Sequence, residues 1–267
     1  MRGPLKPLLA TVALLAALAL LLVWMGRKSD SGDSLMLYCA VVMKAPMTTI
    51  ATNFQRDEGI PVSIQYGGSG TLLSSIRVSK VGDLYIAADS SYTDLAAQYW
   101  ILSDAATVAT LRPVIVVPHG NPKGIRGIED LLKPGIKVAL GNPDAASIGK
   151  QTEILMKHLE KWAPLDRAVK DHGVFKPTVN EVANDVKLGT VNAGIVWDAT
   201  ANLYPELDGI PIAGTEHFTR HVTVGLLKFS KHPESARRFI AYLTDPGKGQ
   251  KTVADAGLTP IAGEADQ

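Results

Sequence analysis

Four short segments of the sequence each follow a predicted strand and combine small residues with hydroxyl or amide side chains. They are residues 41–45, 66–71, 141–147 and 178–180, and the second of them reads Tyr-Gly-Gly-Ser-Gly-Thr. Glycine allows a backbone to approach a ligand closely, and the first turn of a helix offers free N–H groups with a partial positive charge. Phosphate-like ions bind at such helix starts without help from a lysine. Each segment alone is also typical of an ordinary loop, but together they point to an anion site.

The sequence offers only weak candidates for a set of catalytic residues. The Gly-Gly-Ser-Gly run at 67–70 does not have the Gly-x-Ser-x-Gly order of a nucleophile elbow. His217 and His221 have the i, i+4 spacing of a helical metal site, with Glu216 beside them. The residues after His221 predict a strand, however, and in a strand this spacing does not place both rings on one side. We therefore expect a binding protein and not an enzyme, with no cofactor and no bound metal.

Composition narrows the class of protein. The 267 residues are 46% hydrophobic and 20% charged with a net charge of +1, which is typical of a globular protein with a real core. No basic run exceeds the pair Arg27-Lys28, so nucleic-acid binding is not expected. The only cysteine, Cys39, excludes an intramolecular disulfide and is predicted to be a buried hydrophobe. Lipid attachment to it is not favoured, because residues 36–38 lack the small side chains of a lipoprotein signal.

An apolar segment opens the chain. Residues 5–25 are almost entirely hydrocarbon, and about 20 such residues span a bilayer, whereas a cleaved signal peptide has about 7–15. Trp24 and the pair Arg27-Lys28 suit a membrane interface, and the polar residues up to Ser34 form a short linker. We predict that residues 1–34 are an uncleaved signal-anchor helix and linker, with the bulk of the protein on the extracytoplasmic (periplasmic) face. The alternative is a long signal peptide that is removed, which leaves a secreted protein.

The remainder alternates strands and helices. The predicted strands are 35–42, 61–65, 83–87, 113–117, 137–140 and 193–197, and the predicted helices are 46–57, 71–79, 151–162, 179–188 and 236–243. Repeated alternation of this kind predicts parallel sheets with helices on both faces. Ligands of such folds bind at the carboxyl ends of the strands, where the four segments lie.

The motifs YCAVVM, QYGGSGTLLSSI, GDLYIAADSSY, RPVIVVPHGNPKGI, GNPDAASIGKQTEIL and KLGTVNAGIVWDATA follow one another in this order. They resemble the molybdate/tungstate-binding proteins of ABC importers, within the type II periplasmic binding-protein superfamily. The resemblance covers residues 35–260. It implies an α/β fold of two lobes joined by two crossovers, with an oxyanion held between them by hydroxyls and backbone amides. We expect one lobe at 35–111 plus 222–267 and the other at 113–219.

The resemblance also suggests which positions contact the ligand. Ser69, next to Gly70 in the glycine turn, matches a ligand-binding serine of the family. Ser147 and Ile148 match a loop of the second lobe that supplies amides, and the segment 179–180, with Asn180, matches a further donor segment.

Two positions depart from the family pattern. Val42 stands where a serine is usual, so this position can offer its amide but no hydroxyl. Trp197 stands where many members have a tyrosine, and an indole offers one N–H donor and no acceptor. Asp198 follows it and has two interpretations. It caps the helix that begins at Ala199, or its carboxylate faces the cleft and accepts a proton or completes a metal's coordination.

The resulting prediction is an extracytoplasmic solute-binding protein that captures a small oxyanion for an ABC transporter permease, with molybdate or tungstate favoured. The alternatives are another anion such as phosphate or sulfate, a metal cation, or a tethered ligand sensor. The predicted ligand-binding residues are Val42, Ser69, Gly70, Ser147, Ile148, Asn180, Trp197 and Asp198.

Overall fold

The computed structural model describes residues 34–215 and 217–261. The predicted anchor helix lies outside these residues. Within them, no helix is both long and apolar enough to cross a membrane. The chain from Leu35 onwards forms one compact unit.

Two sheets organise this unit. The first has the strand order β11-β4-β10-β3-β1-β2, and the second has the order β7-β6-β8-β5-β9. The strands are β1 Leu35–Ala40, β2 Val62–Gly67, β3 Leu84–Ala87, β4 Leu102–Leu111, β5 Pro113–Pro118, β6 Val138–Gly141, β7 Val174–Lys176, β8 Ala193–Trp197, β9 Leu207–Pro211, β10 Arg220–Leu227 and β11 Thr259–Pro260.

Helices cover both sheets. They are α1 Lys44–Glu58, α2 Ser69–Ser79, α3 Ser90–Gln98, α4 Ile128–Leu131, α5 Ser147–His158, α6 Trp162–His172, α7 Val179–Lys187, α8 Asp198–Asn202, α9 Pro233–Thr244 and α10 Gly249–Asp255. We call the first sheet with α1–α3, α9 and α10 lobe 1, and the second sheet with α4–α8 lobe 2. The residue bounds given above for the two lobes stay a prediction.

The sheets are mixed, which corrects the prediction of parallel sheets. Strands joined through a helix are parallel, as β1 is to β2 and β3, and β6 is to β7 and β8. In contrast, β10 runs antiparallel to β3 and β4, and β5 runs antiparallel to β8 and β9. Only Arg112 separates β4 from β5, so the chain changes sheets there without a crossover helix. Such a passage does not impose the parallel direction that a crossover helix does.

Several predicted boundaries are wrong. The helix predicted at 151–162 begins four residues earlier, at Ser147, and ends at His158. Glu160 then takes a left-handed φ of 56°, and a helix that the sequence did not suggest begins at Trp162. The apolar spacing continues across this break, and no glycine marks it. Likewise β1 ends at Ala40, and the next three residues form a 3-10 turn.

Other local predictions are confirmed. Thr178 accepts a hydrogen bond from the backbone N–H of Glu181, as the capping-box spacing requires. Gly59 closes α1 with a left-handed φ of 74°. Cys39 is fully buried, and burial raises the pKa of its thiol.

Candidate functional site

The starts of several helices converge on one cavity between the lobes. Lobe 1 contributes the ends of β1 and β2, the start of α2 and the residue after β3. Lobe 2 contributes the starts of α5 and α7 and the end of β8. The lining residues are Ala40, Val41, Val42, Gly67, Gly68, Ser69, Ala88, Ala146, Ser147, Ile148, Val179 and Trp197. Each of the four segments singled out in the sequence thus supplies at least one lining residue.

Ser69 is held firmly on the lobe 1 side. Its side chain is 1% exposed, and its hydroxyl accepts a hydrogen bond from the backbone N–H of Ala88 at 3.2 Å. Its carbonyl accepts a hydrogen bond from the buried Tyr85 hydroxyl at 2.8 Å. The Ser69 hydroxyl hydrogen finds no acceptor among the described residues. It is therefore free to be donated to a ligand in the cavity.

The lobe 2 side offers backbone amides. Ser147 and Ile148 are the first two residues of α5, whose N-cap Ala146 supplies no side-chain acceptor. Val179 is the first residue of α7, where the Thr178 hydroxyl satisfies the third amide of the helix. The first N–H groups of a helix have no partner within the helix. These amides face the cavity, and the partial positive charge of the helix starts would attract an anion there.

Not every predicted residue reaches the cavity. The amide of Gly70 donates to the carbonyl of Ala145 across the cleft at 2.9 Å, so it is occupied in this closed arrangement. Asn180 does not line the cavity, although its side-chain oxygen is buried without a hydrogen-bond partner. Val42 and Trp197 do line it, and both are buried.

Asp198 also lies away from the cavity lining. Its carboxylate accepts hydrogen bonds from the backbone N–H of Ala199 at 2.8 Å and of Arg112 at 3.1 Å. Its own N–H donates to the Arg112 carbonyl at 2.8 Å. Asp198 therefore binds the start of its own helix and one of the two connections between the sheets. This geometry favours the helix-start role over a role in the cleft.

Replacing Asp198 with asparagine tests this assignment. Burial raises the pKa of the Asp198 carboxyl above its ordinary value of 3.8, against the opposing effect of its hydrogen bonds. The folded protein therefore takes up this proton before the unfolded chain does. Relative to Asp198→Asn, the free energy of unfolding of the wild type should rise as the pH falls from the folded pKa towards 3.8. We expect the variant and the wild type to have the same relative affinities for molybdate and phosphate, measured by calorimetry. A changed preference between the two anions would show that Asp198 contacts the ligand.

Contacts between the lobes are extensive around the cavity. The Ala145 carbonyl of lobe 2 accepts from the amides of Gly70 and Thr71 at 2.9 and 3.3 Å. Asp89 of lobe 1 accepts a hydrogen bond from the side-chain amide of Gln151 in lobe 2 at 2.8 Å, and both are 2% exposed. The lobes are thus closed, and the cavity between them is about 10 Å³. That is room for about one water molecule, so a tetrahedral oxyanion would be held only with the lobes slightly further apart than they are here.

Sequence reasoning missed the closing contacts. The sequence indicates that Gly68 belongs to a glycine-rich turn, but not that it lies against Ala145 and Pro177 of the other lobe. Asp89 ends the motif GDLYIAAD, and its carboxylate accepts a hydrogen bond from the backbone N–H of Ser91 at the start of α3. An aspartate directly before a helix signals a cap. Nothing in the sequence indicates that Gln151 of lobe 2 is the second partner of this carboxylate.

Replacing Ser69 with alanine should weaken anion binding by about 0.5–1.5 kcal/mol for a neutral hydrogen bond, or by up to about 3 kcal/mol if the bonded ligand is charged. The Ala88 amide also loses its acceptor, so thermal melting without ligand should be recorded on the same variant. Ser74→Ala is a matched control, because Ser74 is exposed on the same helix. If both variants bind the anion with the same affinity, Ser69 does not contact the ligand.

Known proteins similar to this chain include solute-binding proteins. A profile of the family described as bacterial extracellular solute-binding protein matches residues 35–259. The molybdate-binding protein of Mycobacterium tuberculosis is 27% identical over 245 residues, which are 86% of each chain.

Two solved structures share the fold. The periplasmic molybdate-binding protein of Azotobacter vinelandii superposes with a TM-score of 0.70 at 17% identity, over 84% of this chain and 98% of that one. The sulfate-binding protein of M. tuberculosis superposes with a TM-score of 0.73 at 17% identity, over 86% and 88% of the two chains.

Proposed function

The chain belongs to the family of bacterial extracellular solute-binding proteins, and from that premise we propose that it captures a small tetrahedral oxyanion for an ABC importer. Molybdate or tungstate is the favoured ligand. The relative of M. tuberculosis and the solved protein of A. vinelandii are both named for molybdate binding. The resemblance found in the sequence motifs is confirmed at the level of the family.

One observation carries the proposal. Helix starts from both lobes point at a single small cavity, and no charged side chain is among its lining residues. The attraction for an anion then comes from the unpaired amides of α5 and α7 and from the Ser69 hydroxyl. Fixed dipoles of this kind bind a compact anion without a counter-ion. Binding that bridges both lobes would also stabilise the closed form.

The lining chemistry distinguishes between ligand classes. A metal cation requires oxygen or nitrogen ligands that carry or polarise negative charge, such as carboxylates, phenolates and imidazoles. None of these side chains lines the cavity, and the residues described by the structure contain no cluster of three or more such ligands that would hold a metal. The cavity supports an anion better than a cation.

The same lining bears on which anion is preferred. A hydrogen phosphate ion carries a proton that must be donated to an acceptor when it is buried. A carboxylate would serve, but Asp198 is bound to the amides of Arg112 and Ala199. The Trp197 indole offers no acceptor. We therefore favour fully deprotonated dianions, namely molybdate, tungstate and sulfate, over phosphate.

The location and partner follow from the family. Extracellular solute-binding proteins act outside the cytoplasm, and we propose that residues 1–34 tether this one to the membrane. The partner that receives the ligand would be the permease of an ABC transporter.

Calorimetric titration of residues 35–267 tests the proposal. This fragment contains the whole compact unit, and the part of the chain that matches the A. vinelandii protein covers 98% of that protein. Molybdate, tungstate, sulfate, phosphate and ferric citrate are titrated in parallel. We expect saturable binding of molybdate and tungstate, weaker binding of sulfate and no binding of ferric citrate. Binding of ferric citrate alone, or of none of the five, would contradict the proposal.

A further inference from the structure

Lobe 1 has an exposed apolar patch far from the cavity. Four of its side chains are large, apolar and solvent-accessible: Val78 at 87%, Val81 at 57%, Tyr99 at 43% and Trp100 at 79%. Tyr99 and Trp100 line a groove of about 450 Å³ between the end of α2 and the end of α3, and Val78 and Val81 are neighbours in sequence of its lining residues Arg77 and Lys80. Single exposed apolar residues are normal, but a cluster of this kind marks an interaction surface.

Three cations border these side chains. The Arg77 guanidinium lies 4.0 Å from the centre of the Tyr99 ring, and the Lys228 ammonium lies 4.7 Å from a ring of Trp100. Lys80 ends α2 and lines the same groove. Among the described residues, none of the three has a carboxylate within salt-bridge distance. Their charge is therefore available to an anionic surface. We call these seven residues the aromatic-cationic patch.

Trp100 occupies a costly backbone position. Its φ of 58° lies in the left-handed region, and it directly follows the end of α3, where glycine is the usual residue. A bulky side chain there costs stability that a glycine would not. No contact within lobe 1 buries the indole in return, since 79% of it is exposed.

The patch lies at the end of lobe 1 from which the chain leaves towards its N-terminus. Strand β1 starts at Leu35 and ends at Ala40 in the cavity, so its start is about 17 Å from the cavity. The backbone N–H of Met36 donates to the Asp83 carboxylate, which also accepts a hydrogen bond from Ser230. These contacts join the start of β1 to the two loops that carry Val81 and Lys228 of the patch.

We propose that the aromatic-cationic patch contacts the headgroup region of an anionic membrane. Exposed tryptophan and tyrosine beside lysine and arginine are the chemistry of a protein surface at a lipid interface. The residues that precede Leu35 include an apolar segment at 5–25 and only a short linker, which at full extension spans about 3.5 Å per residue. The position of this end depends on the tether proposed above: with residues 1–34 anchored in the membrane, a linker of that length would keep this end of the folded unit near the bilayer. The contact would turn the cavity end of lobe 1 away from the bilayer and compete with docking on the permease.

Vesicle sedimentation of residues 35–267 tests the contact without the apolar segment. Vesicles of phosphatidylcholine alone are compared with vesicles containing equal parts of phosphatidylglycerol. We expect binding only to the phosphatidylglycerol vesicles and a decrease with added salt. Lys80→Gln and Lys228→Gln should each weaken partitioning about fivefold.

Trp100→Gly is the decisive variant. Glycine suits the left-handed position, so the fold should be retained or slightly stabilised while partitioning falls by at least about tenfold. Leu188→Ala and Lys123→Gln are matched controls, because both residues are exposed on lobe 2, and neither should alter partitioning.

Three results would overturn the proposal. They are no binding to either kind of vesicle, an equal loss in the lobe 2 controls, and a dimer in solution that Trp100→Gly dissociates. The last result would make the patch an interface between two copies of the chain. Oxyanion affinity should be the same in Trp100→Gly and wild type, so failure here is separate from failure of the proposed function.

Discussion

Gly68→Ala should weaken oxyanion binding by up to about a hundredfold while the protein stays folded. A Cβ carbon at Gly68 would lie 2.5 Å from the carbonyl oxygen of Pro177 and closer still to that of Ala145. Both oxygens are backbone atoms of lobe 2, whereas comfortable contacts lie near 3.5–4.0 Å. The added methyl group therefore prevents the lobes from closing as they do here.

The backbone at Gly68 does not itself require glycine. Its φ of −72° and ψ of 144° suit alanine without strain. The change therefore acts on closure and not on the local fold. An overpacked contact costs about 1–3 kcal/mol, which corresponds to a loss of affinity of up to about a hundredfold.

Calorimetry and thermal melting with and without molybdate measure the effect. The melting temperature without ligand should change little, but the rise that ligand produces should disappear. Gly127→Ala is the matched control, because a Cβ there meets nothing within 4 Å and its φ of 179° is ordinary extended backbone. Wild-type affinity in Gly68→Ala would show that binding does not require this closed form.

Asp89→Ala should lower the free energy of unfolding by about 3 kcal/mol. The Asp89 carboxylate caps α3 by accepting from Ser91, and it accepts from the buried Gln151 amide across the lobes. Loss of a cap costs about 0.5–2 kcal/mol and an unpaired buried amide about 1–3 kcal/mol. The Arg220 guanidinium, which lies 3.8 Å away and also donates to Gln151, loses its carboxylate as well.

Chemical denaturation measures this loss, and variants separate its parts. Asp89→Asn keeps an acceptor for Ser91 and should cost less than Asp89→Ala. Gln151→Ala keeps the cap but removes this one contact between the lobes, so it should weaken ligand affinity several-fold. Combining Asp89→Ala with Gln151→Ala should give less than the sum of the two losses, since they share one interaction.

Asp94→Ala is the control for Asp89→Ala, because Asp94 is exposed on the same helix. A loss below about 1 kcal/mol in Asp89→Ala would contradict the argument. So would full additivity with Gln151→Ala.

Together these two variants address one property of the molecule. Gly68 permits the lobes to meet, and the contact between Asp89 and Gln151 holds them once they have met. A ligand between the lobes would strengthen the same arrangement through the amides of α5 and α7. Affinity in this protein is therefore expected to depend on contacts between the lobes as much as on contacts with the ion.

Much of the fold could be predicted from local sequence. The buried runs at β1, β3 and β8, the cap at Thr178 and the glycine after α1 depend on a residue and its near neighbours. Backbone conformation and hydrophobic periodicity are local properties. The positions of the four candidate turns follow from them, because ligands of such folds gather where strands end and helices begin.

The direction of β5 and β10 could not be predicted in this way. The chain passes from one sheet to the other at Arg112, and nothing in the residues near it states which strand will be the neighbour. Strand pairing joins residues far apart in the chain, such as Thr223 with Ala87. The break at Glu160 was also hidden, since the apolar pattern continues through it.

The features of the site also divide into those that depend on local sequence and those that depend on contacts between distant residues. The sequence by itself determined which residue types are available to the site, because these are chemical properties of short segments. They are small residues, the hydroxyl of Ser69 and helix starts whose lining side chains carry no charge. Only the tertiary structure decided that Gly68 lies against Pro177, that Asp89 meets Gln151 and that Asp198 binds Arg112 away from the cavity. Those contacts exist only when the two sheets pack together, and packing depends on distances in space that sequence spacing does not record.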